Sequence, residues 1–313
     1  MPSDYDLSLV VPVYNEEEMI PLLWQELAAT LPRLLSAWQV VFVDDGSQDS
    51  SSEQLRAIAL ANPNVVYVRF KRNQGQATAY RAGFRNASGH LVATLDADLQ
   101  IHPRELEKFL PVQAEGDFDV VYGRRESRRG SWLKRVLTSR TANWMIRTGS
   151  GSSGHDAGCG LKVYKLWLAR ELLFFSGLHR MSTALSRGFG AREAEVSLLE
   201  GERLAGTSKY GLKRIFQVIP DLARALLMTR LVKLPFATLS SRLKKVSLLA
   251  LLESFLVRGC LRYELRLLAA VLGSAGAFAG RLEEWRATLL EIRTHLLDAP
   301  GYPLDEELSV RAR

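Results

Sequence analysis

At 313 residues, with 47% hydrophobic and 24% charged content, the chain can bury a sizeable core of one large domain with an appendage, which excludes a disordered or low-complexity protein. Its two cysteines, Cys159 and Cys260, belong to no CxxC or Cys/His cluster, which excludes a zinc module and makes a reducing, cytoplasmic setting the default. The net charge of +7 is uneven, because Arg203 to Arg266 sets thirteen Lys and Arg against Asp221, Glu253 and Glu264, a balance of +10 that can face nucleic acid, an anionic membrane surface or water.

In chain order, "MPSDYDLSLVVPVYNEE" carries acids where a signal peptide needs a basic segment, and its apolar stretch is only strand-length. "LSLVVPVY" (7 to 14), "WQVVFVDD" (38 to 45), "NVVYVRF" (64 to 70), "HLVATLDAD" (90 to 98) and "DVVYGRR" (119 to 125) read as short, nearly continuously apolar strands of a sheet covered on both faces. Helices are predicted between them at 16 to 36, 50 to 61, 75 to 87 and 103 to 115, the third following Gly75 and the last opening on Pro103. The alternation predicts an α/β fold with a mostly parallel sheet and helices on both faces.

Such sheets bind ligands beyond the carboxyl ends of their strands. Polar clusters stand at four of those ends: "PVYNEEE", "DDGSQDS", "RNQGQATA" and "DADLQ". One would be ordinary turn chemistry; four on one edge predict a ligand site. Asp96 and Asp98, one residue apart, with Gln100 beyond them, offer hard oxygen ligands from one short loop, which suits Mg2+ or Mn2+ shared with a substrate phosphate.

"VVPVYNEE", "VFVDDGSQDSS", "NQGQATAYRAGF", "TLDADLQIHP", "DAGCGLKVYK" and "GTSKYGLKR", taken together, resemble the family 2, GT-A-fold polyprenol-phosphate glycosyltransferases, the dolichyl-phosphate mannose synthase and bacterial undecaprenyl-phosphate sugar transferase group. The resemblance covers about residues 6 to 235 and is strongest to the bacterial enzymes that charge a polyprenyl phosphate with a uronic acid, glucose or aminoarabinose. It implies a GT-A catalytic domain over 1–210 and inverting transfer from a nucleotide-diphosphate sugar, UDP-linked, to a polyprenyl phosphate. By the same resemblance, Pro12, Tyr14, Glu16, Asp44 and Asp45, joined by Gln76, hold the nucleotide sugar, and Asp96, Asp98 and Gln100 hold the metal and diphosphate. On the acceptor side it implies that Arg125, Arg135 and Ser139 grip the lipid phosphate, that Asp156 orients those basic residues, and that Arg203 and Lys209 belong to a basic loop closing over the diphosphate.

Spacing adds to this. Arg135, Ser139 and Asn143 fall at i, i+4 and i+8, so a helix from 132 to 147 would show them on one face, either as phosphate donors or as a solvated surface. Because a lipid phosphate is already anionic near neutral pH, its attack needs alignment and leaving-group stabilisation more than a general base. Family 2 enzymes that glycosylate hydroxyls carry a Glu-Asp pair or a QxxRW motif after the metal site, and neither is present. "GSGSSG" (149 to 154) fits GxGxxG but follows a helix and not a strand, so a linker or acceptor-side loop is expected. His179 and Arg180 resemble a family motif, with a packed helix start and a substrate role both open.

Two features depart from the family. Glu200 and Gly201 stand where relatives carry a His-Arg pair, and the longest charge-free run after 203, Leu267 to Gly280, is fourteen residues, short of a membrane span. The expectation is a protein peripherally associated with the inner face of the membrane. Residues 211–260 would supply basic amphipathic helices on an anionic surface, with Ile215, Ile219, Leu222 and Leu226 as the apolar stripe and Pro220 dividing it. A helical tail is expected over 261–313, its stripe from Leu282 to Leu296 packing on the domain or on a second copy in a homo-oligomer. The other reading is a degenerate, non-catalytic scaffold that binds membrane or nucleic acid through 203 to 266; no nucleic-acid partner is expected of the transferase.

Overall fold

The computed structural model describes residues 5–126, 143–144, 146–172, 178–201 and 225, together with the backbone of 304–309. The chain divides into two compact units, Met1–Met228 with Tyr302–Arg313 and Thr229–Gly301, and every described residue belongs to the first.

Its centre is an eight-stranded sheet of β1 (Tyr5–Val13), β2 (Trp38–Asp44), β3 (Val65–Phe70), β4 (Gly89–Thr94), β5 (Val120–Glu126), β6 (Lys162–Lys165), β7 (Glu193–Leu199) and β8 (Leu304–Ser309), in the order β7-β5-β6-β4-β1-β2-β3-β8. β1 pairs in parallel with β2 and β4, β2 with β3, and β5 with β7. β6 is antiparallel to both β4 and β5, and β8 is antiparallel to β3. The five strands and four helices expected from the sequence are present within a few residues, with α1 (Ile20–Leu34), α2 (Ser51–Ala61), α3 (Gln76–Asn86) and α4 (Leu106–Gly116). Pro103 opens a 3-10 turn, Pro103–Glu105, that leads into α4. Strand β8 is a correction: the tail expected to be helical over 261–313 contributes an edge strand at 304–309.

Alternation along each strand distributes the helices. Leu7, Leu9 and Val11 of β1 lie in one core with Ile20, Leu23, Leu27 and Leu31 of α1, Leu55 and Ala59 of α2, and Phe109 of α4. The intervening Val10 faces α3, where Gly83 lies so close that a Cβ would overlap its side chain. Helices α5 (Leu166–Glu171) and α6 (Ser182–Gly188) follow β6 in the chain. Among the described residues no helix is long and apolar enough to cross a membrane.

The strand directions gather the chemistry on one edge. β1 to β4 are parallel, so their carboxyl ends share a side; β6 runs against β4 and therefore begins there, and β5 and β7, both opposed to β6, end there. The four polar clusters, Arg125 near the end of β5, Asp156 in the segment entering β6, and Glu200 just past β7 consequently meet at one rim.

Candidate active site

Two loops of this rim are locked together by their own side chains. Asn15, left-handed at φ 53°, donates its N–H to Ser47 Oγ at 3.0 Å and accepts from Gln48 N at 2.8 Å. Glu16 N–H bonds Ser51 Oγ at 2.9 Å, and Glu17 accepts from Ser50 N at 2.9 Å. Tyr14 and Glu16 on the first of these loops, and Pro12 near the end of β1, are partly buried.

Asp44 and Asp45 differ in what they do. Asp44 is fully buried, accepting from Ser47 N at 2.8 Å, Ser52 Oγ at 2.9 Å and Tyr67 Oη at 3.2 Å, with Arg69 Nε at 3.6 Å. Asp45 accepts from Gln74 N at 2.6 Å and Gly75 N at 2.9 Å, pinning the loop that enters α3. Burial, with the neighbouring Asp44 charge as a lesser cause, raises its pKa to about 6 against those two hydrogen bonds. At Gly46 the chain is left-handed at φ 75°, and a Cβ would meet the Arg72 backbone at 2.6 Å, so the turn after β2 packs directly on the Arg72 loop.

Asp96 is held from α3. Gln76 Nε2 and Tyr80 Oη, one turn apart, donate to the same oxygen, Oδ1, at 2.8 and 3.1 Å. Gln76, expected among the donor-binding residues, therefore bonds Asp96 itself. The facing Gly160 keeps Oδ2 uncrowded, since a Cβ there would overlap it, and Gly160 is fixed by its carbonyl accepting from Thr94 Oγ1 at 2.7 Å. Burial and the negative charge of Asp98 raise the Asp96 pKa, against Tyr80, Lys162 and Arg125. The turn after the second acid is tight: Leu99 is left-handed at φ 52°, a strained conformation for its bulk, and Gln100 N–H bonds Asp98 Oδ1 at 3.2 Å.

Among the described residues no group of three or more His, Cys, Asp or Glu gathers at metal-ligand spacing. The two-carboxylate set nevertheless fits Mg2+ or Mn2+, which takes one or two carboxylates with waters and substrate phosphates. A glycine-cleared Oδ2 and a carboxyl strained by its neighbour's charge are what a cation would relieve.

Arg125 occupies the other half of the rim. Asp156 takes its guanidinium side-on, Oδ2 with Nε at 2.7 Å and Oδ1 with Nη2 at 3.0 Å, while Glu200 Oε1 takes Nη1 at 3.0 Å. Burial works against the guanidinium charge, but Asp156 and Glu200 outweigh it and raise the pKa above the ordinary arginine value. The expected orientation of Arg125 by Asp156 is thus an observed ion pair; Glu200 is an addition. Gly201 N–H bonds Gln100 O at 2.7 Å, joining the exit of β7 to the loop of the paired acids.

Lys162 carries no expectation from the sequence, yet stands 5% exposed at the start of β6, donating to Ala157 O at 3.0 Å and Ser182 Oγ at 2.6 Å. Burial lowers its pKa to about 8, against the pull of Cys159, Asp156 and Asp96. It lies within the stretch "DAGCGLKVYK", whose resemblance to the family gave this position no role. A base whose pKa is depressed on folding destabilises the fold while charged, and that penalty lifts as pH rises from about 8 toward the unfolded value of 10.5. Relative to Lys162→Met, wild type should therefore gain stability across that window, on the order of 3 kcal/mol in total. Urea denaturation of both proteins between pH 7 and 10.5 checks it; a difference independent of pH would mean that Lys162 titrates normally.

"GSGSSG" ends a helical stretch and then runs as a loop whose Ser152 and Ser153 bond Glu193 at 3.0 to 3.1 Å, away from any strand-to-helix turn. His155 pairs with Glu195 at 2.8 Å. His179 lies against the Tyr80 ring at 6.3 Å, in the packing behind Asp96. Arg135, Ser139, Arg203, Lys209 and the stripes of 211–260 and 282 to 296 lie outside the described residues.

Known proteins resemble this chain in sequence and in fold. The chain is 38% identical over 229 residues to undecaprenyl-phosphate 4-deoxy-4-formamido-L-arabinose transferase of Serratia proteamaculans, covering 72% of this chain and 69% of that one. It is 37% identical over 227 residues to the protein of the same name from Pectobacterium carotovorum, with the same two coverages. Among solved structures, glucosyl-3-phosphoglycerate synthase from Mycobacterium tuberculosis superposes with a TM-score of 0.54 at 19% identity when bound to phosphoglyceric acid, over 71% of this chain and 80% of that one. Its complex with Mn2+, uridine-diphosphate-glucose and phosphoglyceric acid gives 0.52 at 18% identity over the same shares, a likeness of fold. The Glycosyl transferase family 2 domain matches residues 8–174, more than half of the chain, and with relatives at this identity the chain belongs to that family.

Proposed function

We propose that this glycosyltransferase moves a sugar, with inversion, from a UDP-linked donor to a polyprenyl phosphate at the cytoplasmic face of the membrane. The observation that carries the reading is the single sheet edge where the Asp96 and Asp98 carboxylates stand beside an arginine forked by Asp156. The names of the relatives support the acceptor class.

The donor lies over the interlocked loops of Pro12 to Glu16 and Asp45 to Ser51. Asp45 fixes the 72–75 loop and Asp44 the turn beneath it, so Asp44 acts through the turn's shape. Asp96 and Asp98, with Gln100, would hold Mg2+ or Mn2+, which when bound neutralises the diphosphate as it leaves. Gln76 and Tyr80 keep Asp96 aimed. Arg125 holds the acceptor phosphate by its guanidinium, aided by Arg135 and Ser139, while Arg203 and Lys209 close over the diphosphate. Attack comes from the face opposite the leaving group, and the acceptor, already anionic, needs no base.

A donor screen tests the reading: the purified chain, Mg2+ or Mn2+, a short polyprenyl phosphate and a panel of UDP- and GDP-linked sugars including 4-deoxy-4-formamido-L-arabinose, read as labelled lipid. Turnover with one donor supports it; no lipid product from any donor would return the chain to the scaffold reading.

Membrane attachment is assigned to the +10 segment. Each Lys or Arg at an anionic surface contributes about 1 kcal/mol, and the stripe of Ile215, Ile219, Leu222 and Leu226 adds apolar burial. Salt screens only the first. The protein should sediment with anionic vesicles, leave partly in high salt, and leave much further when Ile219→Glu is combined with salt. Failure to bind such vesicles would give the basic segment another partner.

A further inference from the structure

We propose that Glu200 is a gate on the acceptor site, holding the edge of Arg125 that the phosphate must take and yielding it when the phosphate arrives. This rests on the reading of Arg125 as the phosphate-binding residue.

The geometry of the guanidinium defines the contest. Arginine offers five N–H donors in a rigid fork. Asp156 consumes the side edge, Nε with Nη2, leaving the end-on pair, Nη1 with Nη2, as the other bidentate seat. Glu200 Oε1 sits on Nη1 at 3.0 Å and so competes with a second forked oxyanion for one nitrogen of that seat. On the Nη2 side even a Cβ added at Gly158 would make only ordinary contact, at 3.4 Å. Asp156 and Glu200 between them offset the guanidinium charge that an incoming phosphate would otherwise meet.

Glu200 is built to leave and Asp156 to stay. The Asp156 side chain is 14% exposed and bonded at two points, whereas Glu200 is 34% exposed and bonded at one. An ion pair open to solvent to that degree is weak, so a dianion offering two charge-assisted bonds can displace it. The main chain beside Glu200 is tied by Gly201 N–H to Gln100 O at 2.7 Å, so release is a side-chain rotation that leaves the loop of the paired acids in place. Glu200 therefore sets acceptor affinity and leaves the donor site undisturbed, which makes it a specificity-determining residue for anionic acceptors.

Calorimetric titration of the full chain with farnesyl phosphate, a soluble short prenyl phosphate, tests the gate in wild type, Glu200→Gln, Glu200→Asp, Arg125→Ala and the Glu200→Gln/Arg125→Ala double variant, with melting curves run on each. Glu200→Gln should bind about two- to fivefold more tightly, the worth of an exposed ion pair. Glu200→Asp, one methylene too short to reach Nη1, should move in the same direction though it keeps its charge. In the Arg125→Ala background the gain from Glu200→Gln should vanish, since the two act on one guanidinium. Weaker or unchanged binding in both Glu200 variants, with binding lost in Arg125→Ala, would overturn the gate and leave the acceptor assignment standing. Wild-type affinity in Arg125→Ala would remove the acceptor assignment and the gate with it.

Discussion

Asp98→Asn is expected to lower the rate of sugar transfer about 10²- to 10³-fold, the scale of removing one charge-stabilising group from a reacting centre. The fold should survive it. Asparagine keeps an oxygen able to accept from Gln100 N, the 3.2 Å bond that closes the turn around left-handed Leu99. In the absence of metal the variant should melt no lower than wild type, and somewhat higher if anything. After burial, the charge of Asp98 is the next cause of the raised Asp96 pKa, so its removal relieves a repulsion that folding otherwise has to hold. With Mn2+ the order should invert: wild type gains melting temperature by mass action and Asp98→Asn gains little. Initial rates of labelled-lipid formation and melting curves with and without Mn2+ and UDP check both halves. Transfer at the wild-type rate in the variant, or in wild type with metal chelated, would take the metal away from these two acids.

Much of the donor half was legible because it follows from local pattern. Continuous β-branched runs marked β1 to β4, and each polar cluster sits within a few residues of the strand that delivers it, so the placement of Asp45 and Asp96 on one edge needed only the parallel order. The resemblance placed Gln76 with the donor, but its bond to Asp96 was not foreseen. That it and Tyr80 share one oxygen of Asp96 follows from their spacing of four on α3, combined with a helix–strand contact the sequence does not announce. The half proposed to take the acceptor rests on longer reach: Asp156 meets Arg125 across 31 residues and Glu200 meets it across 75. β6 is four residues long, and β7 carries Glu193 and Glu195 on a half-exposed pattern with no clean alternation, so neither strand declares itself. Without them Glu200 reads only as a missing histidine; with them it stands on a guanidinium. β8 was hidden in the same way, since "LDEELS" gains its identity from pairing with β3.

Arg125→Ala is expected to raise the KM for polyprenyl phosphate about ten- to a hundredfold, the worth of a charge-assisted contact of about 1.5 to 3 kcal/mol, while the KM for the nucleotide sugar stays nearly unchanged. The separation follows from position: Arg125 belongs to β5, and its hydrogen-bond partners Asp156 and Glu200 lie outside the loops after β1, β2 and β3. Truncation also strips Asp156 of its forked partner, so some loss of stability is expected. Arg125→Lys resolves the two effects. It keeps a charge for Asp156 and so should recover much of the melting temperature, but an ammonium cannot fork to two oxygens, and the acceptor KM should remain raised by several-fold. Steady-state kinetics with each substrate varied in turn, beside melting curves, read the outcome. Equal rises in both KM values, tracking stability across the two variants, would make Arg125 a brace between β6 and β7; a rise confined to the lipid phosphate and persisting in the stable lysine variant would mark the residue on which the acceptor lands.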